Sequence, residues 1–466
     1  MADKVVSIID NGSGGLAVDV ECHVSQGLPA IIVVGLGAKA IDEAKERLRS
    51  AFASSDLLMP RKRITLNLAP ADTPKESSSF DMAMAMAILS TSGQLANQPT
   101  SQQVYIGELG LTGIIRPVRG IIGKLLAARE LGFSEFFIPA ANLQQAQLVP
   151  GITIYPVHTI KDLYLHCNNA VAIPPAIATT VVRPSVSKLA NDIASVVGQV
   201  RAKRAMEIAA AGAHNILLNG PPGTGKSMLA KTLPGILPSL SEEEMLEVTH
   251  LSSLASRRYD SLVTERPFRS PHHSSSDIAI IGGGQSPRPG EISLAHRGVL
   301  FMDELPEFGR ATIEALRQPL EDKVISVARA KDTHTFPANF ILVATANPCP
   351  CGHFGTSKEC ICLPHEISRY QKKLSGPIVD RIDLYVDVEE VVHKELLRNH
   401  ELEDSQAVSE RVAAARAKQV KRYNSPAKTN SDMTNEDIKQ HARLTEAALS
   451  LLNDAAAQLD ISARNY

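Results

Sequence analysis

The residues of clearest chemical meaning are Gly220-Pro221-Pro222-Gly223-Thr224-Gly225-Lys226-Ser227. They fit the spacing G-x-x-x-x-G-K-[ST], in which consecutive backbone N–H groups converge on phosphate oxygens at the positive end of a helix. Lys226 is placed to neutralise the β- and γ-phosphates of ATP, and Ser227 to ligate Mg²⁺. The flanks agree, with apolar Ile216-Leu-Leu before the loop and helix-forming Met-Leu-Ala-Lys-Thr-Leu after it. A chance glycine turn would not bring both.

Three further apolar runs begin or end in polar groups. Val299-Leu-Phe-Met stops at Asp303-Glu304. After a phosphate loop this reads as catalytic: Asp303 holds the metal through its water shell, and Glu304 orients or deprotonates the attacking water. Alone, such a run is usually structural. Phe340 to Ala346 leads to Asn347, whose carboxamide suits the water or the γ-phosphate, or merely a turn. Asp380-Arg381-Ile-Asp383 opens another apolar run. An arginine there is placed to reach a neighbouring subunit's γ-phosphate; the alternative is an ordinary surface arginine.

Four of the six cysteines crowd together as Cys349, Cys351, Cys360 and Cys362, while Cys22 and Cys167 stand alone. Four thiolates suit tetrahedral Zn²⁺ in a closed, structural site. His353 or His365 is close enough in sequence to replace one cysteine, and four unliganded thiols are the alternative. Arg257, Arg258, Arg266, Arg269, His272, His273, Arg288 and Arg297 gather around the flexible Gly282–Gly284. Phosphate contacts from them would give salt-sensitive, sequence-independent DNA binding. Asp260, Glu265, Asp277 and Glu291 are interleaved, which also fits a solvated, charge-mixed loop.

The elements that must position these groups follow from the pattern. With 466 residues the chain has room for about three domains. Hydrophobic residues at 44% and charged residues at 21% exclude wholesale disorder. A net charge of −2 gives no global positive field, so any DNA contact must be local. No apolar run approaches the ~20 residues of a membrane span, and the run before Asp10 is short for a signal peptide. A cytoplasmic protein with no membrane partner is expected.

Residues 1–167 mix strand and helix patterns and read as an α+β domain. Leu16–Val24 alternates and turns into Ala30-Ile-Ile-Val-Val as a hairpin; Phe80–Leu89 and Lys124–Leu131 read as buried helices. Gly35-Leu-Gly37-Ala-Lys-Ala40 formally fits a dinucleotide fingerprint, but Asp72 comes too late for the ribose, so a tight turn is expected. Residues 168–188, with three prolines and almost no charge, read as a linker. Residues 189–385 form an α/β nucleotide-binding core containing the cysteine cluster, and 386–466 a charged helical lid.

Residues 189–466 resemble a AAA+ ATPase of the magnesium-chelatase subgroup. Walker A matches Gly220–Ser227, Walker B Val299–Glu304, sensor 1 Asn347 and the arginine finger Arg381. The stretches Phe268-Arg-Ser-Pro-His-His273 and Gly282 to Gly298, followed by Asp303-Glu-Leu-Pro-Glu-Phe308, are similar to the YifB/ComM family. That resemblance covers essentially the whole chain. It implies an α/β AAA+ P-loop core with a helical lid, ATP and Mg²⁺, a homohexameric ring and DNA as partner. The implied activity is ATP-driven branch migration. Arg464 matches sensor 2, yet the family's lid continues beyond the matching segment, so the lid is expected to be incomplete at Tyr466.

Residues 1–165 resemble the S5-like fold of the Lon protease domain. Pro74-Lys-Glu-Ser-Ser-Ser79 matches the segment presenting the nucleophile, and Gly120-Ile-Ile-Gly-Lys-Leu-Leu-Ala-Ala the one presenting its lysine. Ser79 falls at the nucleophile and Ile122 at the general base, with Lys124 nearby. A serine without a base is a weak nucleophile, so a non-proteolytic domain is expected. The competing functions are a chelatase-type motor acting on a partner protein and a Lon-like protease.

Overall fold

The computed structural model describes residues 4–11, 14–35, 38–70, 78–177, 191–255, 262–284, 288–328, 333–356, 358–373, 378–390 and 403–459. Arg464, Arg257, Arg258, Asp72, Pro74 and most of the expected linker lie outside them. The chain divides into two compact units, Met1–Arg183 with Ser241–Val263, and Pro184–Leu240 with Thr264–Tyr466.

The first unit is built on eight strands: β1 (Lys4–Asn11), β2 (Gly14–Ser25), β3 (Ala30–Val34), β4 (Arg63–Ala69), β5 (Gln103–Tyr105), β8 (Glu135–Pro139), β9 (Thr153–Val157) and β10 (Ala176–Ile177). The ribbon β6 (Glu108–Leu109) and β7 (Ile115–Arg116) lies apart from that sheet, whose order is β10-β9-β8-β5-β1-β2-β4-β3. The expected hairpin between β2 and β3 does not form. β2 pairs antiparallel with β1 on one side and β4 on the other, so both its edges are taken. β3 lies instead parallel to β4 at the sheet edge, reached through the helix Ala38–Ser54. Alternation along a strand reports which face is buried and says nothing of which neighbour pairs with it.

Val18, Val20 and Cys22 of β2 turn into the core, together with Ile64, Leu66 and Leu68 of β4. The helix Asp81–Thr91 is buried from Asp81 to Ser90. Its Met-Ala alternation is apolar all round, as an interior helix requires. A second buried helix spans Ile121–Glu130.

The second unit centres on a five-stranded parallel sheet of order β12-β15-β18-β11-β19. Its strands are β11 (Ile216–Asn219), β12 (Phe268–Arg269), β15 (Val299–Met302), β18 (Ile341–Ala346) and β19 (Leu384–Asp387). Two small ribbons, β13 (Gly282–Gly283) with β14 (Arg288–Pro289) and β16 (Val324–Ala328) with β17 (Thr333–Pro337), complete the strands among the described residues. Every residue of β15 and β18 is buried, which is why both read as unbroken apolar runs. The helix Ser405–Tyr423 sends Val408 and Val412 into the same core. Its Arg416 and Gln419 cap the helix Val200–Gly212 through the carbonyls of Ala210 and Ala211. Among the described residues, no helix is long and apolar enough to cross a membrane.

Candidate active site and cysteine cluster

The parallel register brings three strand ends together. Asn219 pairs with Ala346, and Met302 with Ala344, so Gly220, Asp303 and Asn347 emerge at one carboxyl edge of the sheet. Ligands of open α/β sheets bind at such an edge. Only glycine fits position 220, because a Cβ there would lie 2.3 Å from the carbonyl oxygen of Val388. The helix Lys226–Ile236 starts directly after the left-handed Gly225, aiming its free N–H groups into the loop.

Lys226 is buried, and its Nζ donates to the carbonyls of Gly220 (2.6 Å) and Pro221 (2.7 Å) and to Asn347 Oδ1 (3.2 Å). Burial lowers its pKa below the ordinary lysine value, while Asp303 and Glu304 pull it back up. Ser227 Oγ donates to Asp303 Oδ2 at 3.0 Å. A hydroxyl and a carboxylate facing each other form a hard-oxygen donor set of the kind Mg²⁺ prefers. Asn347 Nδ2 donates to Glu304 Oε1 at 3.3 Å. The structure therefore joins Lys226, Ser227, Asp303, Glu304 and Asn347 in one hydrogen-bonded group.

Sequence reasoning passed over three residues that hold this group. Thr345, wholly buried, donates from Oγ1 to Asp303 Oδ1 (2.7 Å) and accepts from the N–H of Glu304 (2.8 Å). Glu304 has φ +55°, a strained turn that aims this N–H at Thr345. Asn215, also buried, donates to the carbonyl of Arg381 (3.0 Å) and accepts from the N–H of Leu342 (2.9 Å), pinning β11 between β19 and β18. Gln199 donates to the carbonyls of Thr224 (3.3 Å) and Glu389 (2.7 Å). The available signals were a polar residue opening an apolar run at Asn215 or lying within one at Thr345, and the Gly198-Gln199 pair before a helix.

Arg381 stands apart from the group. β19 runs parallel to β11 with Leu384 opposite Ile216, so Arg381 lies before the start of its strand, whereas Gly220 lies beyond the end of β11. Its guanidinium is ion-paired to Glu321. Two of the arginines considered for DNA are held internally. Arg266 donates to the carbonyls of Pro238 (2.5 Å) and Arg297 (2.6 Å), and Arg269 forms a two-pronged pair with Glu291 (2.5 and 2.6 Å). His272, His273 and Arg288 are exposed.

The sulfurs of Cys349, Cys351, Cys360 and Cys362 lie within 4.8 Å of one another. The separations Cys349–Cys351, Cys351–Cys360 and Cys349–Cys360 are 3.4, 3.6 and 3.7 Å. A tetrahedron of sulfurs ~2.3 Å from a central metal has edges of roughly 3.8 Å, so the cluster is of a size to hold one ion. The backbone of His353 lowers the Cys351 thiol, while at Cys360 and Cys362, against a backbone hydrogen bond to each, burial and the neighbouring sulfurs raise theirs. The group consists of the four cysteines, without His353 or His365.

In the first unit Ser79, Ile122 and Lys124 are all buried, and Lys124 Nζ donates to the carbonyl of Arg119 at 2.7 Å. Beside Ser79, Asp81 accepts from Arg47 Nε at 2.6 Å and from the N–H of Leu109 at 3.2 Å.

A phosphate loop, an acidic pair and a polar strand end on one edge of a parallel sheet make the second unit a AAA+ P-loop ATPase module. Comparison with known proteins agrees. Residues 192–396 match the family described as magnesium chelatase, subunit ChlI; 20–142 match subunit ChlI of Mg-chelatase; and 402–466 match the ChlI C-terminal region. Competence protein ComM of Haemophilus influenzae is 41% identical over 455 residues, covering 96% of this chain and 88% of that protein. YifB of Escherichia coli is 40% identical over 454 residues, with 96% and 88% covered. A Lon protease of Leptospira interrogans is 28% identical over 160 residues, which cover 33% of this chain and 19% of the protease. The chain belongs to the YifB/ComM family of magnesium-chelatase-like AAA+ ATPases.

Proposed function

We propose that this protein is a ring-forming ATPase that moves DNA, driving branch migration or unwinding during transformation or recombination. The observation that carries the ring is the position of Arg381. Four paired positions of β11 and β19, roughly 10 Å of strand, separate the level of Arg381 from the edge bearing Lys226. An arginine so placed serves a neighbour's nucleotide, which requires a head-to-tail interface and hence a closed ring such as a homohexamer. DNA as substrate rests on the 41% identity to a competence protein across nearly the full chain.

In this reading the phosphate loop and Lys226 bind the triphosphate, Ser227 and Asp303 hold Mg²⁺, and Glu304 accepts the proton of the attacking water. Bound Mg²⁺ neutralises charge on the transferring phosphoryl group. Asn347 keeps Glu304 and Lys226 in register. Zn²⁺ is the ion we assign to the four cysteines, on the fit of the sulfur separations to a tetrahedral all-thiolate site.

The test is ATP-driven migration of a labelled synthetic four-way DNA junction, compared with Lys226→Ala. Movement that needs ATP and disappears in the variant is expected. A second reading, a motor acting on a partner protein, is favoured by the match to magnesium-chelatase subunit descriptions. An ATPase indifferent to junction, duplex and single-stranded DNA would turn the choice to it.

A further inference from the structure

We infer that the loop closed by the four cysteines is a working part of the nucleotide site, so that zinc occupancy and nucleotide affinity are thermodynamically coupled. The inference rests on the zinc assignment above and is independent of the DNA reading.

The loop touches the ATP site at both ends. Cys349 follows Asn347 by a single proline. Beyond it the chain turns at Gly352, φ +80°, where an added Cβ would lie 2.6 Å from Cδ and 3.1 Å from Cγ of Pro222. The loop backbone therefore lies against the ring of a phosphate-loop proline at a distance only glycine allows. That turn is organised around the sulfurs. The N–H of Phe354 donates to Cys349 Sγ (3.3 Å), the N–H of Cys351 to Cys362 Sγ (3.4 Å), and the N–H of Gly352 to the carbonyl of Cys349 (2.9 Å).

At its far end the loop runs into the helix Pro364–Lys372. From that helix, which buries Tyr370, Gln371 Nε2 donates to the carbonyl of Pro348, the residue next to Asn347, at 3.4 Å. One closed loop thus rests on Pro222 and, through Pro348, is fastened directly beside Asn347, the residue bonded to both Lys226 and Glu304. Without metal the turn is held by these weak bonds to sulfur, and ligation of all four sulfurs to one zinc ion would lock it. Whatever factor zinc adds to nucleotide affinity, nucleotide must add to zinc affinity.

The experiment is an equilibrium competition for zinc between the full chain and a chromophoric chelator, with and without Mg–ADP. Nucleotide is expected to tighten zinc binding on the order of 10-fold, and zinc depletion to weaken fluorescent-ADP binding by the same factor. Pro222→Ala, with zinc still at one per chain, is expected to remove the coupling. Zinc affinity equal within twofold with and without nucleotide would overturn the inference, as would a purified chain that binds no zinc. If the depleted chain loses its fold by circular dichroism, the Co²⁺-substituted chain decides: a thiolate-to-cobalt absorption band that shifts on adding Mg–ADP supports the coupling, and an unchanged band sinks it.

Discussion

Asn347 Oδ1 accepts from Lys226 Nζ at 3.2 Å, joining residues 121 positions apart in the chain. The same carboxamide donates to Glu304. Binding and hydrolysis are thus divided between two residues that share one neighbour. Lys226→Ala should lose nucleotide affinity by more than tenfold. Glu304→Gln should bind with near wild-type affinity yet hydrolyse on the order of 10²–10⁴-fold more slowly. Fluorescent-nucleotide titration and phosphate release on both variants check this, and equal loss of affinity in both would contradict the division.

Thr345 is the hidden support of the acidic pair. Thr345→Val keeps shape and removes one hydroxyl, leaving Asp303 short of a donor and the Glu304 N–H short of an acceptor. A loss of about 1–3 kcal/mol of stability is expected. The Mg²⁺ dependence of hydrolysis should move to higher concentration, since Asp303 is no longer aimed at Ser227. A Mg²⁺ titration of turnover, alongside a denaturant melt, separates the two effects.

Arg381→Ala should leave nucleotide affinity within twofold and lower hydrolysis by 10²-fold or more. Mixed with Lys226→Ala, it should recover part of the activity, because a ring of both contains sites pairing an intact loop with an intact arginine. No recovery at any mixing ratio would place Arg381 in its own subunit's chemistry or outside chemistry altogether.

Asp81 makes the first unit sensitive to pH. Burial raises its carboxyl from 3.8 to about 6, despite the bonds from Arg47 and Leu109. Between those values the folded chain holds a proton that the unfolded chain has released. The stabilising contribution is therefore fully present below about pH 4 and is lost as pH rises through 6. Asp81→Asn cannot ionise, so the difference in melting temperature between it and wild type should change across that window and flatten outside it. Arg47→Ala, which leaves the carboxylate buried without its cation, should cost about 3–5 kcal/mol at pH 8.

What could be read directly was local chemistry with a fixed spacing. Gly220–Ser227 needs its glycines and lysine in that order because the backbone itself makes the site, and the order survives any packing. The apolar runs of β15 and β18 were legible because parallel strands are buried on both faces. The cysteine cluster was legible because its ligands lie within one short loop. Pairing was not legible: β2 alternates equally well beside β3 or beside β1 and β4, and the choice was made by edges that other strands occupy.

The sequence by itself determined which atoms can meet a phosphate, a hard cation or a soft one, since those follow from residue type and short spacing. Tertiary structure alone decided which of them meet each other. It brought Thr345 between Asp303 and Glu304, set Arg381 beyond the far end of its neighbouring strand, tied Arg266 and Arg269 into internal bonds, and seated Gly352 on Pro222. Each of those contacts depends on strand order and register, which long-range packing selects and no local pattern encodes.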